Sequence, residues 1–240
     1  MSNETDATMK LKIDVISDSI CPFCYIGKRK LDRAIDIAKE KGLKLEFDVQ
    51  FHPFLLDPTL TEDNPVNKRS RYAEKFGKER SVTLEKMMIE RGKQSGINFS
   101  YGGDVRQTTK SHRLIALAYE KGGQDMQKNI IERLFNGYFE REQDIGDIDF
   151  LSTQASDVGL FPTSDDAKIW LESDEKKEEV QTAIQRAQMM GVSGVPFFIL
   201  NNKYAISGAE ESELFVEVFE RFCGKQNTRS NRIPSDLVCT

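Results

Sequence analysis

The chain has 240 residues, 30% of them charged and 38% apolar, and a formal net charge of −5. That length fits one large domain or two small ones with a full core, and so mild a charge balance gives no reason to expect nucleic acid or a membrane surface as partner. Met1–Lys10 lacks the apolar core of a signal peptide, no apolar run reaches bilayer length, and four cysteines are too few for a disulfide-rich scaffold, so a cytoplasmic protein is expected.

Leu11–Ser17 is apolar and β-branched and predicts a buried strand. From Tyr25 onward, Ile26, Leu31, Ile35 and Ala38 recur at near-helical spacing with charges between them, which predicts a helix ending near Lys41-Gly42. Leu43–Phe51 alternates apolar and polar, the mark of a half-buried strand. Strand, helix and strand form a unit with parallel strands and a right-handed crossover. Prolines at 53, 58 and 65 then break regular structure.

From about Val66 to Met190 the pattern is helical. Helices are predicted around Leu84–Arg91, Leu114–Lys121, Ile130–Phe139, Phe150–Val158 and Val180–Met190. After Gly191 the period returns to that of strands. Phe197–Leu200 and Tyr204–Ser207 flank a turn-like Asn201-Asn202-Lys203 and predict a hairpin. Gly208-Ala209-Glu210 is expected to open a last helix whose face carries Leu214, Phe215, Val218 and Phe222. An α/β fold results: two halves, 11–61 and 191–223, separated by a helical insert, 62–190, with polar termini at 1–10 and 224–240. The insert is too long and too regular for a loop.

Cys21-Pro22-Phe23-Cys24 falls where the first strand turns into the first helix. Pro22 suits the first helical position, where its missing N–H costs nothing. Cys21 then sits at a helix N-terminus, whose unpaired N–H groups and macrodipole favour a negative sulfur. A thiolate is the nucleophile of thiol–disulfide exchange, and Cys24 is near enough to close a disulfide onto Cys21. Cys21 is expected to be the exposed sulfur that reacts first. Zinc would need two more ligands at metal spacing, and only Cys223, Cys239, His52 and His112 are left to supply them. A structural bridge across so short a loop removes little chain entropy. Redox chemistry is the favoured reading, and no metal is expected.

The order Cys21-Pro22-Phe23-Cys24, helical insert, Gly194-Val195-Pro196-Phe197-Phe198 resembles the DsbA-like thioredoxin superfamily. Within it, Asp18–Gly27, Pro53-Phe54-Leu55-Leu56, His112-Arg113-Leu114 and Ile206-Ser207-Gly208-Ala209 resemble the FrnE-like branch. The resemblance implies a thioredoxin fold with an inserted helical domain, Cys21 attacking and Cys24 resolving. It also implies a cis Val195–Pro196 bond facing the thiols, with Pro22, Phe23, Val195 and Pro196 contacting substrate. Its partners would be protein or small-molecule thiols and disulfides, with no bound cofactor and with glutathione as a possible redox partner. The strongly oxidising DsbA type has His where this chain has Phe23, so a less oxidising couple is expected. The alternatives are a glutathione-dependent isomerase or transferase, similar to 2-hydroxychromene-2-carboxylate isomerases and kappa-class glutathione transferases, and a non-catalytic peptide-binding module.

Other residues invite weaker readings. His52 is expected in a loop after the second strand, at the end where open α/β sheets bind ligands. His112 is expected to pack or cap a helix, and Cys223 to end the last helix as a small hydrophobe. Glu210 is expected to favour the last helix's N-terminus, with a contact to glutathione as the alternative. Asp14 is expected to face solvent on strand alternation, with a proton relay to the thiols as the alternative.

Overall fold

The computed structural model describes residues 8–224. Its main sheet has four strands, β1 (Met9–Ser17), β2 (Leu45–Pro53), β5 (Phe197–Leu200) and β6 (Tyr204–Ser207), in the order β2-β1-β5-β6. β1 runs parallel to β2 and antiparallel to β5, so Ile13 lies between Val49 and Leu200. The crossover from β1 to β2 is α1 (Pro22–Glu40), and Gly42 ends it with φ +65, a conformation that glycine adopts without strain. The hairpin turn places Asn201 and Asn202 at positive φ, as this turn class requires. This is a thioredoxin fold carrying a helical insertion between its halves.

Strand alternation sends Leu11, Ile13 and Val15 into the main core with Phe198, Leu200 and Ile206. There α8 (Ser212–Phe222) brings Phe215 against Phe198 and Phe219 against Phe47, both at 4.9 Å between rings. Ile16, on the opposite pleat, joins Phe54, Ala187 and Val192 in a second cluster under α7 (Lys177–Met189). Each such side chain contributes about 2 kcal/mol by leaving water.

The insertion begins with a two-stranded ribbon, β3 (Val66–Asn67) against β4 (Asp104–Val105), enclosing α2 (Lys68–Phe76) and α3 (Lys78–Gln94). Then come α4 (Thr109–Glu140), α5 (Ile148–Asp157), α6 (Ser164–Glu172) and α7. The ribbon, α2 and α6 went unread in the sequence because they are short and mostly polar. The helices expected around Leu114–Lys121 and Ile130–Phe139 are both present; they follow one another within α4 across a kink at Gly122 and Gly123, whose φ/ψ are not helical.

That break has a purpose in the packing. Just beyond it, the Gln124 amide accepts from Val49 N–H (3.0 Å) and donates to Phe47 C=O (2.9 Å). One turn on, Gln127 does the same for Phe51 N–H (2.8 Å) and C=O (3.0 Å). Two side-chain amides thus pair the free edge of β2, which would otherwise present open donors and acceptors.

Two further boundaries differ from expectation. β2 continues through Pro53, so His52 is a strand residue opposite Ile16 and not part of a loop. α8 starts at Ser212 with Glu211 as its N-cap, so Glu210 lies outside the helix and Glu213 is the acid in its first turn. Among the described residues, no helix is long and apolar enough to cross a membrane.

Candidate active site

The turn between β1 and α1 is held by a buried acid. Asp18 is fully buried; its carboxylate accepts from Leu56 N–H at 2.6 Å and Ile20 N–H at 3.4 Å. His112, buried on α4, places Nε2 at 2.9 Å from Phe54 C=O, to which it donates, and 3.3 Å from the Asp18 carboxylate. Ser19 and Ser111 join their hydroxyls at 2.9 Å beside it. The insertion therefore fixes the loop that delivers Cys21. His112 packs, as its sequence context indicated, with the added task of pinning that loop.

Cys21 is the N-cap of α1, in extended geometry, and Pro22 follows at the first helical position. Its carbonyl accepts from Cys24 N–H at 3.0 Å, which begins the helix. No side chain caps this end and no acid occupies the first turn. The positive end of the helix dipole therefore acts at the sulfur without a competing anion. The Cys21 thiol donates to Val195 C=O at 3.4 Å, and the Val195–Pro196 peptide bond is cis.

Helix α1 can approach that loop because residue 27 is glycine. A Cβ there would lie 2.9 Å from Pro196 Cγ and 3.1 Å from Phe198 Cζ. A glycine inside a helix costs about 1 kcal/mol relative to alanine, which was the available sequence signal for this contact.

Cys21 and Cys24 are free thiols. Both are buried, at 2% and 1% exposure, so the expectation that Cys21 projects into solvent is corrected. It lies instead at the bottom of a cleft of about 340 Å³ between the first turn of α1, the Val195 loop, α2 and α3. The walls are apolar, with Phe23, Leu60, Phe76, Leu84 and Met87 among them. Burial pushes the Cys24 thiol well above the ordinary thiol range, and hydrogen bonding to Cys21 and its charge push it further; a hydrogen bond from Ser17 only partly opposes this. Tyr72 on α2 also lines the cleft. Burial raises its phenol, with Tyr101 and the Cys21 sulfur adding to the rise, so it stays a hydrogen-bond donor.

The cleft carries charge at its mouth. Asp57 is its one acid among the lining residues, against Arg71, Lys75 and Arg80. Burial raises the Asp57 carboxyl, but hydrogen bonds from Arg71 and Thr59 outweigh it and hold the group at about 2. Arg71 donates to it through Nε at 3.0 Å and Nη2 at 2.8 Å.

Phe23 and Val195 line this cleft with Pro22, and Pro196 packs behind them on Gly27. His52 and Asp14 do not reach it; they pair with each other at 2.7 Å on the sheet. Asp14 is not a solvent-facing side chain, because neighbouring β2 brings His52 over it. Burial raises its carboxyl, yet the hydrogen bonds from His52 and Lys12 leave it lowered. Glu210 is exposed and Cys223 half-buried at the end of α8. Cys239 lies outside the described residues. Asp18, Gly27 and the α2–α3 wall are the parts of the site that sequence reading missed. A buried acid directly after an apolar strand was the available signal for Asp18.

Comparison with known proteins agrees with this geometry. A family model described as the DSBA-like thioredoxin domain matches residues 12–220. YwbO, an uncharacterized protein of Bacillus subtilis, is 30% identical over 213 residues, which span 86% of this chain and 94% of YwbO. A probable DsbA oxidoreductase from Streptomyces coelicolor superposes with a TM-score of 0.78 at 24% identity, covering 96% of this chain and 99% of that one. The cytosolic disulfide reductase DsbM of Pseudomonas aeruginosa, with GSH, superposes with a TM-score of 0.54 at 14% identity, covering 89% and 97%. At these identities the likeness to the two structures is one of fold.

Proposed function

The chain belongs to the DSBA-like thioredoxin domain family, and from that premise we propose that it is a thiol–disulfide oxidoreductase in which Cys21 attacks and Cys24 resolves. The observation that carries the reading is the placement of the Cys21 sulfur. It lies at an uncapped helix N-terminus, against the Val195 carbonyl, with a second free thiol behind it and an open cleft in front.

The chemistry follows from that placement. The Cys21 thiolate attacks one sulfur of a substrate disulfide; the S–S bond breaks, and the leaving thiolate takes a proton from solvent. Cys21 is then held in a mixed disulfide and no longer carries charge. Of the three causes that raise the Cys24 thiol, the hydrogen bond to the Cys21 sulfur and that sulfur's charge are gone and burial remains. Cys24 loses its proton, attacks the Cys21 sulfur and expels the second substrate thiol. Two electrons have passed from the dithiol to the substrate, and a Cys21–Cys24 disulfide remains. Run backwards, the same steps oxidise a client dithiol. Phe23, which offers neither charge nor a hydrogen bond, supports the reducing direction, and the reduction potential of the couple against glutathione decides it.

The test is substitution of each cysteine, read by insulin reduction with a glutathione or thioredoxin-type donor and by trapping from cell lysate. Cys24→Ser is expected to accumulate adducts on Cys21, whereas Cys21→Ser traps nothing and loses reductase activity. If Cys24→Ser keeps full activity and traps nothing, the oxidoreductase reading fails and a glutathione-dependent isomerase of the same fold takes its place.

A further inference from the structure

Helix α3 turns a distinctive face toward the thiol. Arg80, Leu84, Met87, Met88 and Arg91 follow one another at spacings of four, three, one and three residues, which puts them on one side of the helix. The first four line the cleft above Cys21, and the Arg91 guanidinium stands 5.7 Å from the centroid of the Phe23 ring, itself part of the wall. An apolar stripe is thus bounded by two arginines about 16 Å apart along the helix axis.

Those two differ from Arg69, Arg71 and Lys75 of α2. Arg69 is paired with Glu85, Arg71 with Asp57 and Glu74, and Lys75 with Asp57. Among the described residues, Arg80 and Arg91 have no carboxylate partner, although α3 carries Glu79, Glu85 and Glu90 within a turn or two of them. The one acid of the cleft, Asp57, is already taken up by Arg71. The mouth therefore keeps uncompensated positive charge over an apolar interior, and Cys21 is only 2% exposed at its floor. A small disulfide reaches a sulfur at that depth more readily than the disulfide of a folded protein does. A volume of about 340 Å³ falls within the ~300–1,000 Å³ of small-molecule sites.

We propose that the substrate of Cys21 is a low-molecular-weight disulfide bearing carboxylates, which Arg80 and Arg91 receive at the two ends of the apolar face of α3. This rests on the oxidoreductase reading and deepens it. The exchange balances as described above: the substrate disulfide is the oxidant, the Cys21–Cys24 dithiol the reductant, and two small thiols are released.

The experiment is a single-turnover oxidation of pre-reduced protein by 4,4′-dithiodibutyrate, long enough for its carboxylates to approach both arginines, and by its uncharged diamide, each rate divided by the rate at which the same disulfide oxidises dithiothreitol. Insulin serves as the protein disulfide. The carboxylate compound is expected to react about tenfold faster than the diamide at low salt. That ratio should collapse toward one in an Arg80→Ala/Arg91→Ala double variant and return in Arg80→Lys/Arg91→Lys. Insulin should be slower than either small disulfide. Equal normalised rates in the wild type overturn the proposal, as do a ratio that survives the double alanine change, a parallel loss with both small disulfides, or insulin outrunning them. If no disulfide oxidises the pair, the oxidoreductase reading falls as well, a result that separates the two failures.

Discussion

The first turn of α1 and the stretch Tyr25–Asp32 behind it lie on one helix and are built on opposite principles. At the first turn the reactive groups are left without ionic partners: an uncapped N-terminus, two free thiols and apolar walls. Behind it almost everything is paired to α4. The Tyr25 hydroxyl meets Glu132 at 3.0 Å and Glu140 at 2.9 Å and accepts from Arg29 at 2.9 Å. Buried Lys28 reaches Asp32 at 2.9 Å and Glu132 at 2.7 Å, and Arg29 also pairs with Glu132. The Tyr25 ring stacks on Phe135 at 4.9 Å. A helix that must present a thiol without smothering it is anchored one turn away, where pairing does not quench the sulfur.

This contrast can be broken in steps. The largest effect belongs to Cys21→Ser, which should reduce disulfide exchange to the buffer background while leaving the urea midpoint within error of the wild type. A large shift in the midpoint would mean that the first turn also anchors the fold. Next comes Gly27→Val, at the junction of the two regions. The added side chain must displace Pro196 or Phe198, so about 1–3 kcal/mol of stability should be lost. Exchange should slow as well, because the Val195 loop is forced away from Cys21. A stability loss with unchanged exchange rates would show that the loop does not position the reaction.

Tyr25→Phe removes one hydroxyl from a network of charged partners and should cost about 1–3 kcal/mol in urea denaturation. Single-turnover exchange should change little, since the thiols do not touch that network. A selective loss of rate would merge the two regions into one functional unit. The smallest effect concerns Glu140. Burial raises its carboxyl, but Asn98 N–H, Asn136 and Tyr25 hydrogen-bond to it and leave it lowered. A depressed folded-state value stabilises the protein above the ordinary glutamate value of about 4.3. That contribution is lost as pH falls through the lower folded-state value. The stability gap between the wild type and Glu140→Gln should therefore be constant above about pH 5 and narrow below it. A gap independent of pH down to pH 3 would remove the carboxylate from the anchor.

The sequence by itself determined the parts whose physics is local. Apolar β-branched residues at 11–17, the Pro22 helix start, the alternation at 43–51 and the Asn201-Asn202 turn each specify their element through contacts a few residues away. Together they placed Cys21 at the end of a strand and the head of a helix. Tertiary structure alone decided what depends on contacts distant along the chain. The hydrogen bonds that hold Asp18 come from residue 56, with a histidine at residue 112 beside it. The edge of β2 is closed by amides from residues 124 and 127, and the room for Pro196 is made by a missing Cβ at residue 27. Most of all, the burial of Cys21 is written nowhere near Cys21. It arises because α2 and α3, both largely polar in sequence, lay their few apolar residues over the thiol. No periodicity within either helix says what that face will cover.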